Sequence, residues 1–185
     1  IYILLRDQLG SKYLQEKLEN GTQNAVFFLY PALMQNILYL IKDSFANYFI
    51  QKICYFLSEE QIENIIKIIT PQFLDICRDI YGSRVIQGIM NNLNTSNLRI
   101  LFFDLIKDIF ISLINDMYGY HIIYKFVVEC PDFWDQSNSI IVDNFLKIAT
   151  HKKGCIFLEN YLNLLKYFFL RLIPLFLNKY YNGKN

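Results

Sequence analysis

A short phrase recurs along this chain at an interval of about 36 residues, and this periodicity restricts the fold more than any other feature. The copies are "LGSKYLQEKL" from Leu9, "FANYFIQKIC" from Phe45, "YGSRVIQGIM" from Tyr81, "YGYHIIYKFV" from Tyr118 and "KGCIFLENYL" from Lys153. The residue after each Gly or Ala is Ser11, Asn47, Ser83, Tyr120 or Cys155, at intervals of 36, 36, 37 and 35 residues. Such self-similarity predicts a stack of like units that bury a shared core.

The segments between the copies have the spacing of helices. Glu59 to Ile69 carries isoleucines three or four positions apart behind the sequence "SEEQ", which is typical of a helix N-terminus. Pro71 then restarts the chain, and 97–114 shows a similar apolar face. No segment alternates cleanly enough to favour an all-β fold. We therefore expect antiparallel helix pairs, often with a broken first helix, stacked into an all-α solenoid whose inner surface is lined by one helix from each unit, here called the lining helix.

One domain is expected over 1–185, built from units of about 36 residues. The units are predicted at 1–20, 21–57, 58–93, 94–130 and 131–165, with 166–185 as a degenerate or truncated sixth. Four of the seven glycines fall in the same phase as Ala46, namely Gly10, Gly82, Gly119 and Gly154. This phasing predicts that a small residue is needed where each lining helix begins against its neighbour.

The charge and cysteine content narrow the possible functions. Eighteen Lys and Arg stand against 17 Asp and Glu, so a net charge of +1 exerts no large unspecific pull on polyanions or anionic membranes. The spacing of the four cysteines matches neither a CxxC metal site nor a dense disulfide framework, which favours reduced thiols in an intracellular protein. We predict no metal, no cofactor and no catalytic centre, because no motif for any of them is present.

Neither a membrane span nor a targeting segment is expected. The most apolar region, Tyr161 to Leu177, is broken by two basic residues and Pro174. The chain opens on Ile1 without a signal-like sequence, and both ends are expected to be cuts from a longer protein.

The polar letters of the phrase share one helical face. Ser83 and Gln87 lie one turn apart, about 6 Å along the axis, with Arg84 beside them. Packed helices stand about 8–10 Å apart, whereas stacked bases are about 3.4 Å apart on a strand. A single-stranded nucleic acid that placed one base on each unit would therefore have to be stretched, with its bases separated. A flat side chain could fill each gap between bases.

These residues resemble the Pumilio (PUF) family of RNA-binding repeat proteins. The resemblance covers roughly Ile1 to Leu165 and is most specific at "GSKYLQ", "ANYFIQK" and "GSRVIQ". It implies a right-handed α-solenoid whose repeats each read one RNA base with a five-residue motif. Because family members usually carry eight repeats and bind RNA antiparallel to the protein, this chain resembles the N-terminal part of such an array.

The resemblance also implies a role for each position of the motif, with the first and fifth residues on the base edge and the second stacking. Ser11 with Gln15 would select adenine, Asn47 with Gln51 uracil, and Ser83 with Gln87 adenine, with Lys12, Tyr48 and Arg84 stacking. The implied reading is AUA, the 3′ end of the element UGUANAUA that similar family members recognise.

The fourth and fifth motifs depart from the family pattern. The fourth has Tyr120, His121 and Tyr124; the His can stack, but little base selection is expected. In the fifth, Glu159 points to guanine and Cys155 to adenine, which leaves the base open. Ile156 is expected to be structural rather than stacking.

Two functions follow as expectations. The first is a monomeric, cytoplasmic binder of single-stranded RNA in 3′ untranslated regions of messenger RNA, which recruits repressor or decay proteins on its convex face for post-transcriptional regulation. The second is a Pumilio-like scaffold of ribosome assembly, nucleolar, that binds RNA or protein without a sequence code. The first three motifs favour the first function, while the near-neutral charge and the last two motifs keep the second open.

Overall fold

The computed structural model describes the backbone of residues 1–181 and the side chains of 1–166, except those of Thr22 and Gln23. Within this part the chain forms helices and connecting turns and no strand, so the all-α prediction is confirmed. Of the predicted sixth unit, residues 182–185 lie outside the described residues.

The helices follow one another in units of a leading helix, a short helix and a lining helix. The α-helices are α1 (Tyr2–Leu5), α2 (Gln8–Met34), α3 (Ile37–Leu40), α4 (Ala46–Cys54), α5 (Glu59–Ile69), α6 (Phe73–Cys77), α7 (Gly82–Met90), α8 (Ser96–Ile106), α9 (Phe110–Ile114), α10 (Gly119–Glu129), α11 (Trp134–Asp143), α12 (Phe145–Ala149) and α13 (Lys152–Tyr181). Three 3₁₀ turns, Thr70–Gln72, Lys107–Ile109 and Pro131–Phe133, accompany the leading helices.

Two long helices each join a lining helix to the segment that follows it. Helix α2 carries the first motif and runs on into the leading segment of the second unit, with non-helical backbone at Gly21 (φ −127°, ψ 16°). Helix α13 carries the fifth motif and continues to Tyr181, past the predicted boundary at 165/166. The lining helices are therefore 8–20 of α2, then α4, α7 and α10, and 152–165 of α13.

The leading helices begin where the sequence indicates. The Ser58 hydroxyl accepts a hydrogen bond from the Gln61 N–H (3.3 Å), and the Gln61 side chain accepts one from the Ser58 N–H (2.9 Å). This reciprocal pair satisfies two N–H groups that would otherwise lack partners at the start of α5. Thr95 caps α8 with a single hydrogen bond, which its hydroxyl accepts from the Leu98 N–H at 3.3 Å. The predicted break after α5 is present at the 3₁₀ turn that contains Pro71.

The core runs continuously from unit to unit. Neighbouring lining helices pack in chain order, α2 on α4, α4 on α7, α7 on α10 and α10 on α13. Phe102 of α8 lies between rings of the third and fourth units, with centroids 5.9 Å from Phe73 and 5.8 Å from Phe126. These fully or almost fully buried rings tie the third unit to the fourth. Because one cluster of buried apolar side chains extends from Leu5 to Tyr161, no unit has a separate core.

The phased small residues lie where the short helix meets the lining helix. A Cβ atom added at Gly10, Gly82 or Gly154 would collide with the carbonyl oxygen of the residue six positions earlier. At Gly119 it would lie 2.9 Å from a Leu113 methyl carbon. None of these glycines has a positive φ, so close packing and not backbone conformation requires them.

The fifth unit has a defect in its leading helix. Ser137 is 1% exposed, and its hydroxyl has no hydrogen-bond partner within the described residues. In the third and fourth units the buried Ile65 and Phe102 occupy the equivalent place. A buried hydroxyl without a partner costs free energy relative to an apolar group of similar size.

No helix of the described part is both long and apolar enough to span a lipid bilayer. No cluster of three or more His, Cys, Asp or Glu side chains suited to a metal ion occurs within the same residues. All four cysteines are free thiols, and three of them are buried.

Substituting Gly82 tests the packing at the start of the lining helix. We expect Gly82→Ala to lower the free energy of unfolding by about 1–3 kcal/mol, as overpacking does in a filled core. Gly21→Ala is the matched control, because among the described side chains a Cβ atom there would meet the Ala25 Cβ alone, at 3.9 Å. Urea unfolding measures both variants, and equal losses at the two positions would contradict the packing role.

Substituting Ser137 tests the buried hydroxyl. We expect Ser137→Ala to raise the free energy of unfolding by about 1–2 kcal/mol, because the variant removes an unpaired polar group and gains helix propensity. Ser139→Ala on the same helix is the control, since it makes the same change at an exposed hydroxyl that has a hydrogen-bond partner, Asp143. A gain at Ser137 no larger than that at Ser139 would show that the buried hydroxyl costs nothing.

Candidate nucleic-acid interface

Each lining helix begins at a side chain that accepts hydrogen bonds from the helix's first N–H groups. Asp7, Asp43, Asp79 and Asp116 each bond the N–H of the small residue three positions later, at 2.7–3.0 Å. In the fifth unit His151 takes this place, and its Nδ1 accepts from the Lys153 N–H at 3.3 Å. These caps were not predicted from the sequence, although an Asp three residues before Gly or Ala recurs in four units. They fix where every motif begins.

The first residues of the three well-matched motifs are buried. Ser11 is 2% exposed, Asn47 0% and Ser83 3%. The Ser11 hydroxyl donates to the Phe45 carbonyl of the next unit at 2.9 Å, and the Ser83 hydroxyl donates to the Ile80 carbonyl at 3.3 Å. The Asn47 Nδ2 donates hydrogen bonds to the backbone carbonyls of Asp43 and Ser44, each at 2.9 Å. These hydrogen bonds hold the side chains in fixed orientations.

The fifth residues are half-buried glutamines that reach back toward the first residues. The Gln15 Nε2 donates to the Ser11 hydroxyl at 3.3 Å, and the Gln51 Nε2 donates to Asn47 Oδ1 at 3.1 Å. The Gln87 Nε2 donates to the backbone carbonyl of Ser83 at 3.2 Å. The structure thus brings the first and fifth residues of each motif together, and none of the three glutamines is buried in the core.

The second residues of the same motifs, Lys12, Tyr48 and Arg84, are exposed next to these pairs. Tyr48 is 49% exposed, although its neighbours Asn47 and Phe49 are fully buried. Each of the three motifs therefore offers one flat or charged side chain to solvent beside a polar pair.

The fourth motif is built differently. The ring centroids of Tyr120 and His121 are 3.8 Å apart, and the Lys153 ammonium of the fifth unit lies 5.4 Å from the centre of the Tyr120 ring. Burial, with a smaller contribution from the Lys153 charge, lowers the pKa of His121 below its ordinary value. Tyr124 packs against the core instead of meeting Tyr120. The three residues do not form the polar pair found in the first three motifs.

The fifth motif also lacks a polar pair. The Cys155 thiol donates to the Ala149 carbonyl at 2.9 Å, while Glu159 is exposed. Ile156, between them, is half-buried. The structure brings Cys155 and Glu159 onto one helix without a hydrogen bond that joins them.

Two lysines of the lining helices form ion pairs with glutamates. Lys52 forms an ion pair with Glu19 of the preceding lining helix, and Lys125 pairs with Glu129 at 2.6 Å. Since carboxylates accompany these lysines, we expect the surface to attract polyanions only weakly by charge.

Sequence comparison identifies repeats of one family along most of the chain. The family model described as "Pumilio-family RNA binding repeat" matches residues 1–30, 36–70, 72–106 and 144–160. It leaves out 107–143, the stretch that contains the divergent fourth motif on α10. Suppressor protein MPT5 of Saccharomyces cerevisiae is 31% identical over 175 residues, which cover 86% of this chain and 20% of that protein. Putative pumilio homolog 8, chloroplastic, of Arabidopsis thaliana is 30% identical over 166 residues, with 86% and 32% covered.

Solved structures share the fold. The Puf4 RNA-binding domain bound to the HO endonuclease RNA 3′ UTR recognition sequence superposes with a TM-score of 0.80 at 28% identity, covering 86% of this chain and 50% of that one. The RNA-binding domain of yeast Puf5p bound to MFA2 RNA gives a TM-score of 0.76 at 31% identity, with 88% and 47% covered. The chain thus spans about half of these domains and a fifth to a third of the two curated relatives.

Substituting Asp43 tests the cap of the second lining helix. We expect Asp43→Ala to lower the free energy of unfolding by about 1–2 kcal/mol, the usual cost of a lost cap. Asp43→Asn is the control, because it keeps an acceptor oxygen and loses only the charge that meets Arg6 at 2.9 Å. Urea unfolding of both variants measures the difference.

The same comparison should depend on pH. Burial alone would raise the pKa of Asp43, but hydrogen bonds from the Ala46 and Phe45 N–H groups and from Arg6 bring it below the ordinary value. Stability from a carboxylate with a lowered pKa is present above the unfolded pKa and is lost as the pH falls through the folded pKa. The gap between wild type and Asp43→Ala should therefore narrow in acid, and a constant gap from about pH 7 to about pH 2 would contradict this role.

Proposed function

This chain belongs to the Pumilio family of RNA-binding repeat proteins, and we propose that it binds single-stranded RNA selectively, with one base at each lining helix. One observation carries the proposal. Three successive lining helices each hold a polar pair on a fixed backbone, with an exposed side chain able to stack beside it. Such an arrangement suits unstacked bases that are read on their edges.

The second motif has the chemistry that uracil requires. Because both Asn47 N–H groups are held by backbone carbonyls, the pair has one acceptor, Asn47 Oδ1, and one donor, Gln51 Nε2. In the free chain the two bond to each other and Asn47 is fully buried, so we propose that uracil replaces this hydrogen bond when it binds. Uracil presents an N–H donor beside a carbonyl acceptor, and the two patterns are complementary. Cytosine presents an acceptor nitrogen beside an amino group, so each of its groups would meet a like group. Tyr48 would stack on the same base.

The neighbouring motifs extend this reading. Ser11 with Gln15 and Ser83 with Gln87 are proposed to take adenine, stacked by Lys12 and Arg84. The proposed recognition element therefore ends in AUA at its 3′ side. The fourth motif is proposed to select little, because Tyr120 and His121 contact each other and form no polar pair. The fifth is proposed to hold adenine or guanine.

We further propose that the RNA lies in 3′ untranslated regions of messenger RNA and that binding regulates it after transcription. The support is that the related Puf4 domain binds such a recognition sequence. The protein is proposed to act in the cytoplasm as a monomer, as a binding protein and not as an enzyme. Repressor or decay proteins are proposed to bind its convex face.

Titration with short RNAs tests the base at the second motif. We expect an oligonucleotide ending in AUA to bind more tightly than one ending in ACA by about 1–3 kcal/mol, the value of a good two-point base contact. Fluorescence anisotropy at one fixed salt concentration measures both. Equal affinities for the two RNAs would favour a scaffold without a base code.

Exchanging the motif tests whether these residues set the base. We expect Asn47→Ser with Tyr48→Arg, which copies the third motif into the second unit, to move the preference at that base from uracil to adenine. The same exchange leaves the preferences at the flanking bases unchanged, because Gln15 and Gln87 lie on other helices. A preference that stays on uracil would separate base selection from these two positions.

A further inference from the structure

The third lining helix has a glycine in its interior, where glycine lowers helix stability. Gly88 follows Gln87 directly in α7, and its φ is not positive. A glycine inside a helix destabilises the helix relative to alanine. The other lining helices carry larger polar residues at the equivalent place, Glu16, Lys52, Lys125 and Asn160. An explanation for a glycine at this position therefore has to come from the packing around Gly88.

The packing partner of Gly88 is the fifth residue of the preceding motif. A Cβ atom added at Gly88 would lie 3.0 Å from Gln51 Cγ and 3.4 Å from both Gln51 Cα and Gln51 Cβ. The backbone of α7 thus rests directly on the stem of the Gln51 side chain.

Both the amide group and the aliphatic stem of Gln51 are confined. Its Nε2 donates to the carbonyl oxygen and to Oδ1 of Asn47, at 3.2 and 3.1 Å. Its stem is confined on the other side by Gly88, and the side chain is half-buried. A side chain that is already confined loses less entropy when it binds and holds one orientation more strictly.

We infer that Gly88 is a positioning residue that fixes Gln51, and through it the choice of uracil at the second motif. The inference rests on the proposed function for its effect on RNA. It does not extend to Gln15, because Lys52 stands at the equivalent place in α4 and reaches across to Glu19 of α2. The effect is therefore confined to one base.

The test compares Gly88→Ala and Gly88→Lys, the second of which copies the residue found at Lys52 and Lys125. We expect wild type to favour AUA over ACA by about fivefold to 150-fold, and both variants to reduce this ratio to below about threefold, with the larger loss in Gly88→Lys. The preferences at the two flanking adenines should stay within about twofold of wild type. Lys125→Ala, at the equivalent place in the fourth lining helix, should change none of these ratios.

A readout without RNA separates the inference from the proposed function. In ¹H–¹⁵N spectra the side-chain amide signals of Gln51 should shift in Gly88→Ala, while those of Gln15 stay in place. If wild type binds AUA and ACA equally but the Gln51 signals shift, the proposed function fails and the positioning role stands. If wild type discriminates and the variants keep both the ratio and the signals, the positioning role is overturned.

A loss of stability in Gly88→Ala has its own check. Adding Gln51→Ala removes the Cγ atom that the new methyl group would meet, so the double variant should unfold at or above the midpoint of Gln51→Ala alone. A lower midpoint would show that Gly88 contacts something other than Gln51 that matters more, and would overturn the inference.

Discussion

The start of each lining helix is the constraint on which the rest of this structure depends. An aspartate, or His151 in the fifth unit, accepts the first N–H groups of the helix, and a glycine or alanine follows three positions later. There the helix backbone presses on the short helix before it, with no room for a side chain at the glycines. Since this junction recurs with nearly constant spacing, each motif is presented at the same place in successive units.

The junction also separates packing from recognition within one short phrase. The apolar positions of each motif enter a core shared between units. In the first three motifs the second residue is exposed at the lining surface, the fifth is half-buried, and the first is buried beneath them. Lysines on that surface are accompanied by glutamates, as at Lys52 and Lys125. Charge alone therefore offers little attraction, so under the proposed function selectivity depends on base edges and stacking. The orientations of Asn47 and Gln51 are set by hydrogen bonds before any base is present.

Much of the fold was predictable because it depends on residues close together in sequence. The period, the cap at Ser58 and the need for small residues at Gly10 and Gly82 all follow from local patterns, and the structure contains them. The aspartate caps also follow from a local pattern, an Asp three residues before Gly or Ala. They were not predicted, because an isolated Asp before a helix is common. The role of each motif residue on RNA stays a prediction.

The remaining features depend on distances between units, which a single sequence does not specify. The sequence gives no reason for a glycine at position 88, which becomes clear only from its packing against Gln51. Serine is usually a surface residue, but Ser137 is buried at the position that Phe102 occupies in the fourth unit. The contact of Lys153 with the Tyr120 ring likewise crosses from one unit to the next. Selection of this protein's preferred RNAs from a randomised single-stranded pool tests the central claim most directly. Enrichment of sequences with AUA at the 3′ side of the bound element is the predicted result, and enrichment of folded RNAs without a common single-stranded sequence would contradict it.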